Sequence, residues 1–164
     1  MLRFSLLDKT DFNTLAKDIF YILDKNMSGI VPTGNEYEED YKLWVEAVGS
    51  GLKKASRQVI LIYFNNRLIG FFQYYTNDTL FMMEEVQILP AYQGKEYNIF
   101  RKLFGFIFTA LPIGLKIVEA YANKQNPKSQ AILLHLGLHI IGENRNGNSY
   151  HFQGNFCNLT KWYD

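Results

Sequence analysis

A chain of 164 residues can bury one sizeable core and is short for two ordinary domains, so a single domain over 1–164 is expected. It is 48% hydrophobic and 20% charged, which excludes a disordered chain. Seventeen bases against 16 acids leave a net charge of +1, so no bulk attraction to nucleic acid or membrane follows, and neither is expected as a partner.

Leu2 to Leu7 reads as a first strand, and Thr10-Asp11 as a helix start. From Asp11 to Lys25, Phe12, Leu15, Ile19, Ile22 and Leu23 recur at helical steps. Ser28-Gly29 and Pro32-Thr33-Gly34-Asn35 break the chain, and a second helix is expected from about Glu38 to Ala55. Strands follow at Gln58–Phe64, Leu68–Tyr75 and Thr79–Leu89, with turns at Asn65-Asn66 and Asn77-Asp78, and Pro90 stops the last. A strongly apolar helix from about Tyr97 to Ala110 reads as packed on a sheet. Leu115–Ala122 is strand and Pro127–Leu136 helix, ended by Gly137. A hairpin of His139–Gly142 and Ser149–Gln153 turns at Asn146-Gly147-Asn148, and Asn158 to Trp162 closes the chain without an assigned element. The order β-α-α-β-β-β-α-β-α-β-β implies a mixed α/β architecture with helices on both faces of one sheet.

No run of eighteen apolar residues is present, and Met1–Asp8 is too short an apolar stretch for a signal peptide. The single Cys157 cannot form an internal disulfide and, beside Phe156 and Leu159, reads as a core thiol. A cytoplasmic location is the expectation. His135 and His139 have a metal-ligand spacing, but Gly137 ends the helix between them, so no metal is expected.

Charge is uneven along the chain. Residues 3–46 carry about −4 and residues 87–139 about +4. Such halves could hold a cationic and an anionic molecule together, or could be two solvated helical faces. Trp44, Tyr37 and Tyr41 could line a substrate cleft or simply pack inward.

The segment from Glu84 to Asn98 holds the densest chemistry. A strand ends, a loop with Gly94 and Lys95 follows, and a buried helix begins. Amides at a helix start are unpaired and partly positive, so such a loop can cradle an anion. In the strand, alternation puts Glu84 on the face of Val86 and Ile88, and Glu85 on that of Gln87.

Val86-Gln87-Ile88-Leu89-Pro90-Ala91-Tyr92-Gln93-Gly94-Lys95 resembles the acetyl-CoA signature of the GNAT family of N-acetyltransferases: alternating apolar residues, proline, an aromatic residue, then Gln/Arg-Gly-x-Gly-x-Gly/Ala. Asn126-Pro127-Lys128-Ser129 followed by Leu136-Gly137-Leu138 is similar to a second segment of that family. The resemblance implies the acyl-CoA N-acyltransferase fold, a splayed mixed sheet of about seven strands. It implies acetyl-CoA as co-substrate, wedged between the strand ending at Leu89 and the one ending near Ala122. The backbone of Val86 and Ile88 would pair with the pantetheine arm. The amides of Gln93, Gly94, Lys95, Glu96, Tyr97 and Asn98 would hold the pyrophosphate. Asn126 and Ser129 would lie at the cofactor's far end, and Glu84 or Glu85 would deprotonate the acceptor amine.

Three positions depart from the family. Glu96 and Asn98 stand where it has glycine or alanine, and Leu133 where many relatives carry the tyrosine that protonates the leaving thiolate, so no general acid is assigned. A carboxylate about 6 Å from the pyrophosphate would weaken cofactor binding roughly ten- to a hundredfold unless it points outward. The expected activity is acetyl transfer to a primary amine of a small molecule or peptide, with a cationic acceptor suggested by the acidic first segment. The alternative is a catalytically degenerate module of the same fold that binds CoA or a protein partner without turnover. Acceptor, acyl length and a homodimer stay open.

Overall fold

The computed structural model describes residues 1–163, and side chains as far as residue 159. In chain order the elements are β1 (Leu2–Leu6), α1 (Phe12–Met27), α2 (Tyr37–Leu52), β2 (Arg57–Phe64), β3 (Arg67–Asn77), β4 (Leu80–Ile88), α3 (Ile99–Ala110), β5 (Ile117–Asn123), α4 (Pro127–His135), β6 (His139–Glu143), β7 (Ser149–Asn155) and α5 (Phe156–Tyr163). The seven strands lie in the order β1-β2-β3-β4-β5-β7-β6. β4 and β5 are parallel, whereas β1–β2, β5–β7 and β6–β7 are antiparallel. This is the mixed seven-stranded sheet expected from the sequence. The boundaries differ at α2, which ends at Leu52 rather than near Ala55, at α3, which starts at Ile99 rather than near Tyr97, and at β5, which starts at Ile117 rather than Leu115, and α5 is an additional element. Cys157, in the first turn of α5, is exposed rather than a core thiol.

The turns follow from residue chemistry. Asn65 and Asn66 both have positive φ (49° and 67°), as does Asp78 (51°). Asn and Asp tolerate this left-handed region better than other side chains, which is why these pairs can reverse the chain between strands.

The chain forms two compact units, Met1–Gln73 with Glu85–Ile99, and Tyr74–Glu84 with Phe100–Asp164. In the first, α1 buries Phe12, Ala16, Ile19, Phe20 and Ile22. β2 and β3 each carry four consecutive buried residues, Val59–Ile62 and Ile69–Phe72, the mark of strands covered on both faces. β1 pairs with β2 in the register Leu2↔Phe64 to Leu6↔Ile60. α2 is mostly exposed, with Leu52 its one buried residue. In the second unit, β5 buries alternate residues Val118, Ala120 and Ala122. Rings pack in sequence from Phe100 to Phe104 (5.1 Å), Phe104 to Phe108 (5.8 Å), and Phe108 to Phe156 (6.0 Å). On the opposite side of β5 and β7, His151 contacts Glu119 and stacks on Tyr121 at 4.4 Å.

One close approach fixes the strand that carries the candidate site. At Gly70 in β3, a Cβ would come within 2.6 Å of the Gln87 carbonyl oxygen and 3.3 Å of the Ile88 Cα. Both are backbone atoms that cannot rotate away. Gly70→Ala should therefore lower unfolding free energy by about 1–3 kcal/mol in urea denaturation. Gly29→Ala, with nothing within 4 Å of its Cβ, should change it by less than about 1 kcal/mol.

Candidate active site

The first unit holds a cavity of about 610 Å³. Phe20, Leu23, Asp24 and Met27 of α1 form one wall, and Tyr37, Asp40, Leu43 and Trp44 of α2 another. Residues 31–35 of the connecting loop and Glu85 of β4 complete the lining. Phe20 organises the aromatic part: its ring lies 5.2 Å from Tyr37, 5.6 Å from Tyr41 and 5.4 Å from Trp44. They pack against α1, and Tyr37 and Trp44 also face the cavity.

The loop is tied to α2 through Asp40, whose carboxylate accepts from Thr33 Oγ1 (2.6 Å) and Asn35 Nδ2 (3.1 Å). The Tyr37 phenol is pushed above its ordinary pKa first by loss of solvent, then by the negative charges of Asp24 and Glu38.

Of the two glutamates singled out in the sequence, Glu85 lines the cavity and Glu84, the preceding residue of the strand, is not part of the lining. Glu85 Oε1 accepts from the Gln87 side-chain amide. Gln87 is buried, and its Oε1 accepts from Asn26 Nδ2 (2.9 Å) in the last turn of α1. The same Asn26 nitrogen donates to the Ile88 carbonyl (2.9 Å), which also accepts from Gln93 Nε2 (2.7 Å). Leu89 N–H bonds to the Ile69 carbonyl (2.8 Å). Val86 and Ile88 stand at the end of β4, and the Ile88 carbonyl serves side chains of α1 and of the following loop. The pairing of β4 with β5 runs from Leu80↔Ile117 to Met83↔Ala120 and includes neither.

Beyond β4, Pro90–Tyr92 form a single 3-10 turn and the loop continues to Asn98. Gln93 N–H is spent on the Pro90 carbonyl and Tyr97 N–H on that of Gly94, each at 3.2 Å. Among the described residues, the amides of Gly94, Lys95, Glu96 and Asn98 make no backbone hydrogen bond. Asn98 has φ +48°, so it stands where the backbone does require a left-handed residue, and asparagine meets that need in place of glycine. Glu96 is not at positive φ, and its own backbone does not need glycine. Its carboxylate instead folds over Gly94, where a Cβ would collide with it. Tyr92 and Tyr97 anchor the loop on Phe64, with ring centroids at 5.4 and 5.5 Å.

In the second unit Asn126 is buried and caps α4. Its Oδ1 accepts from Ser129 N–H (3.2 Å), and its Nδ2 donates to Ser129 Oγ (3.1 Å). The pair is therefore locked into the helix start. Leu133 is buried in the same helix. The residues not singled out in the sequence are Asn26, Asp24 and the 31–35 loop. Asn26 and Gln87 meet across 61 positions of chain, a pairing that no local pattern announces.

No protein-family model and no curated protein matches the sequence. Solved structures do match it. An acetyltransferase from Thermus thermophilus aligns with a TM-score of 0.68 at 14% identity, over 95% of this chain and 97% of that one. The PaiA N-acetyltransferase of Thermoplasma acidophilum, solved with coenzyme A, gives 0.66 at 16% identity, over 95% and 99%. The spermidine N-acetyltransferase of Vibrio cholerae, solved with CoA and spermine, gives 0.61 at 14% identity, over 97% and 98%. At these identities the likeness is one of fold, and it agrees with the strand order and element order above. The chain has the acyl-CoA N-acyltransferase fold.

Proposed function

We propose that this protein is an acetyl-CoA-dependent N-acetyltransferase that moves an acetyl group directly onto a primary amine of a cationic small molecule or peptide. The observation that carries the reading is the course of β4. The strand presents Glu85 to a cavity and then enters a loop whose amides at Gly94, Lys95, Glu96 and Asn98 are unspent. The fold is one that the similar structures use for N-acetyltransferases, two of them solved with CoA.

The donor set suits a pyrophosphate: four backbone N–H groups and the Lys95 ammonium converge on one short loop. Glu96 is the obstacle, since its carboxylate lies over Gly94 and has to turn outward to admit an anion. Gln93 and Tyr97 amides hold the loop's turns and are not part of the cradle. Ile88 contributes its N–H side, because its carbonyl already accepts twice.

At neutral pH a primary amine arrives as an ammonium ion with no lone pair to attack. Glu85 takes one proton from it. The neutral nitrogen then bonds to the acyl carbon while the carbon–sulfur bond breaks and its electron pair stays on sulfur. The second nitrogen proton passes to the sulfur, which is released as the thiol. A backbone N–H of Val86 or Ile88, that of Leu89 being held by the Ile69 carbonyl, polarises the acyl carbonyl as charge develops on its oxygen. Acetyl-CoA supplies the activated acyl group.

A cationic acceptor is supported by the three carboxylates that line the cavity, Asp24, Asp40 and Glu85. Phe20, Trp44 and Leu43 offer apolar surface to the acceptor's carbon skeleton, and an aromatic face attracts an ammonium group. The spermine bound in the Vibrio cholerae structure is a molecule of this class.

Three outcomes are expected. Saturating acetyl-CoA, at about 100 times its dissociation constant, should stabilise the protein by roughly 2.7 kcal/mol, seen as a rise of several degrees in thermal melting. Absence of any rise at millimolar ligand would remove the cofactor from the reading. Glu96→Gln should tighten acetyl-CoA about tenfold in isothermal titration, because it deletes a charge facing the phosphates. Glu85→Gln should lower kcat on spermidine, followed by thiol release, by about 10²- to 10⁴-fold while acetyl-CoA still binds. An active wild type that tolerates Glu85→Gln would eliminate Glu85 as the base.

A further inference from the structure

We infer that Asn26 and Gln87 are positioning residues that hold the Glu85 carboxylate in one orientation and keep it a hydrogen-bond acceptor at the cavity wall. This rests on the reading of Glu85 as the base that receives the ammonium proton.

The argument is one of direction. An amide side chain has a donor end and an acceptor end, and either could face a neighbour. Here the chain of contacts is bounded by acceptors at both ends: the Ile88 carbonyl at one and the Glu85 carboxylate at the other. A backbone carbonyl can only accept, so the end of Asn26 that meets it is the Nδ2 amide. That same nitrogen has two protons, and the second goes to Gln87 Oε1 at 2.9 Å. With its oxygen so used, Gln87 turns its own NH2 toward Glu85 Oε1. Flipping either amide would set oxygen against oxygen. The orientation of two side chains is thus fixed from a backbone atom outward.

Burial makes this arrangement costly to dispense with. Gln87 is 9% exposed, and a buried amide must place its polar ends against partners. A leucine or methionine would fill the volume without that demand. What the glutamine adds is a donor aimed at a carboxylate, and such a donor favours the ionised form that can accept a proton. Asn26 precedes Met27, which lines the cavity, and its contacts with Gln87 and Ile88 set the last turn of α1 against β4.

A purely structural pin between helix and strand would produce the same contacts, so the test has to separate the two. The wild type, Gln87→Met and Asn26→Leu are labelled with ¹³C at the glutamate carboxyl, and Glu85→Gln identifies the Glu85 resonance. Gln87→Met removes the donor. Asn26→Leu takes away the Nδ2 protons without adding a charge and frees Gln87 to turn its oxygen toward Glu85. The other titratable groups around the cavity, Asp24 on α1 with Tyr37 and Asp40 on α2, are the same in every variant. The titration midpoint of Glu85 should rise by about one pH unit or more in both variants relative to wild type. The acid limb of kcat/KM for spermidine should move with it, KM changing less than threefold. Gln87→Glu, which keeps hydrogen-bonding capacity but sets a second carboxylate beside Glu85, should not restore the wild-type profile. A lowered melting temperature with an unmoved Glu85 midpoint would overturn the proposal and leave Asn26 and Gln87 as a structural pin. The base reading fails separately, and visibly, if Glu85→Gln turns over spermidine like the wild type.

Discussion

The Ile88 carbonyl is the point on which the first unit depends. One oxygen accepts from Asn26 of α1 and from Gln93 of the following loop, at 2.9 and 2.7 Å. A carbonyl oxygen has two lone pairs, and here each has a donor. The bonds join the helix that walls the cavity, the strand that bears Glu85, and the loop with unspent amides. Gly70 supports the joint from the other side, where the absence of a side chain lets β3 and the Gln87 carbonyl come close.

The charge of the cavity has a second use. Glu38, Glu39 and Asp40 occupy the first turn of α2, where negative charge complements the helix dipole. Asp40 also ties down the Thr33–Asn35 turn and faces the cavity. The acidity of residues 3–46 is therefore not simply a solvated face. Part of it starts a helix, part closes a loop, and part gives the cavity its sign. The loop after β4, by contrast, carries backbone amides without a backbone partner and one lysine, Lys95, with Glu96 beside it.

Most of the architecture was legible because its signals are local. Asn65-Asn66 and Asn77-Asp78 mark reversals by chemistry that operates within two residues, and Gly137 ends α4 at φ +91°. Alternation set Glu85 beside Gln87, and the two side chains are hydrogen-bonded. Which face borders a cavity is a tertiary matter that alternation does not address. The departures from the family pattern divided in two. Asn98 turned out to preserve the backbone conformation that a glycine would serve, whereas Glu96 brings a side chain that has to be accommodated. α5 and the exposure of Cys157 were missed because eight residues of mixed character are too few to establish a periodicity. The meeting of Asn26 and Gln87 was missed because two uncharged amides 61 positions apart leave no trace in composition or spacing.

The pairing of β1 with β2 carries a kinetic consequence. Leu6 and Ile60 are 54 positions apart and Leu2 and Phe64 are 62 apart, with both α1 and α2 in between. Closing a loop of that length costs entropy before any contact repays it, whereas β2, β3 and β4 follow one another through tight turns. The meander can therefore form early, and β1 docks onto it late. The helices that wall the cavity lie inside that long loop, so docking of β1 and completion of the cavity are expected together, and detachment of the N-terminal strand loosens both.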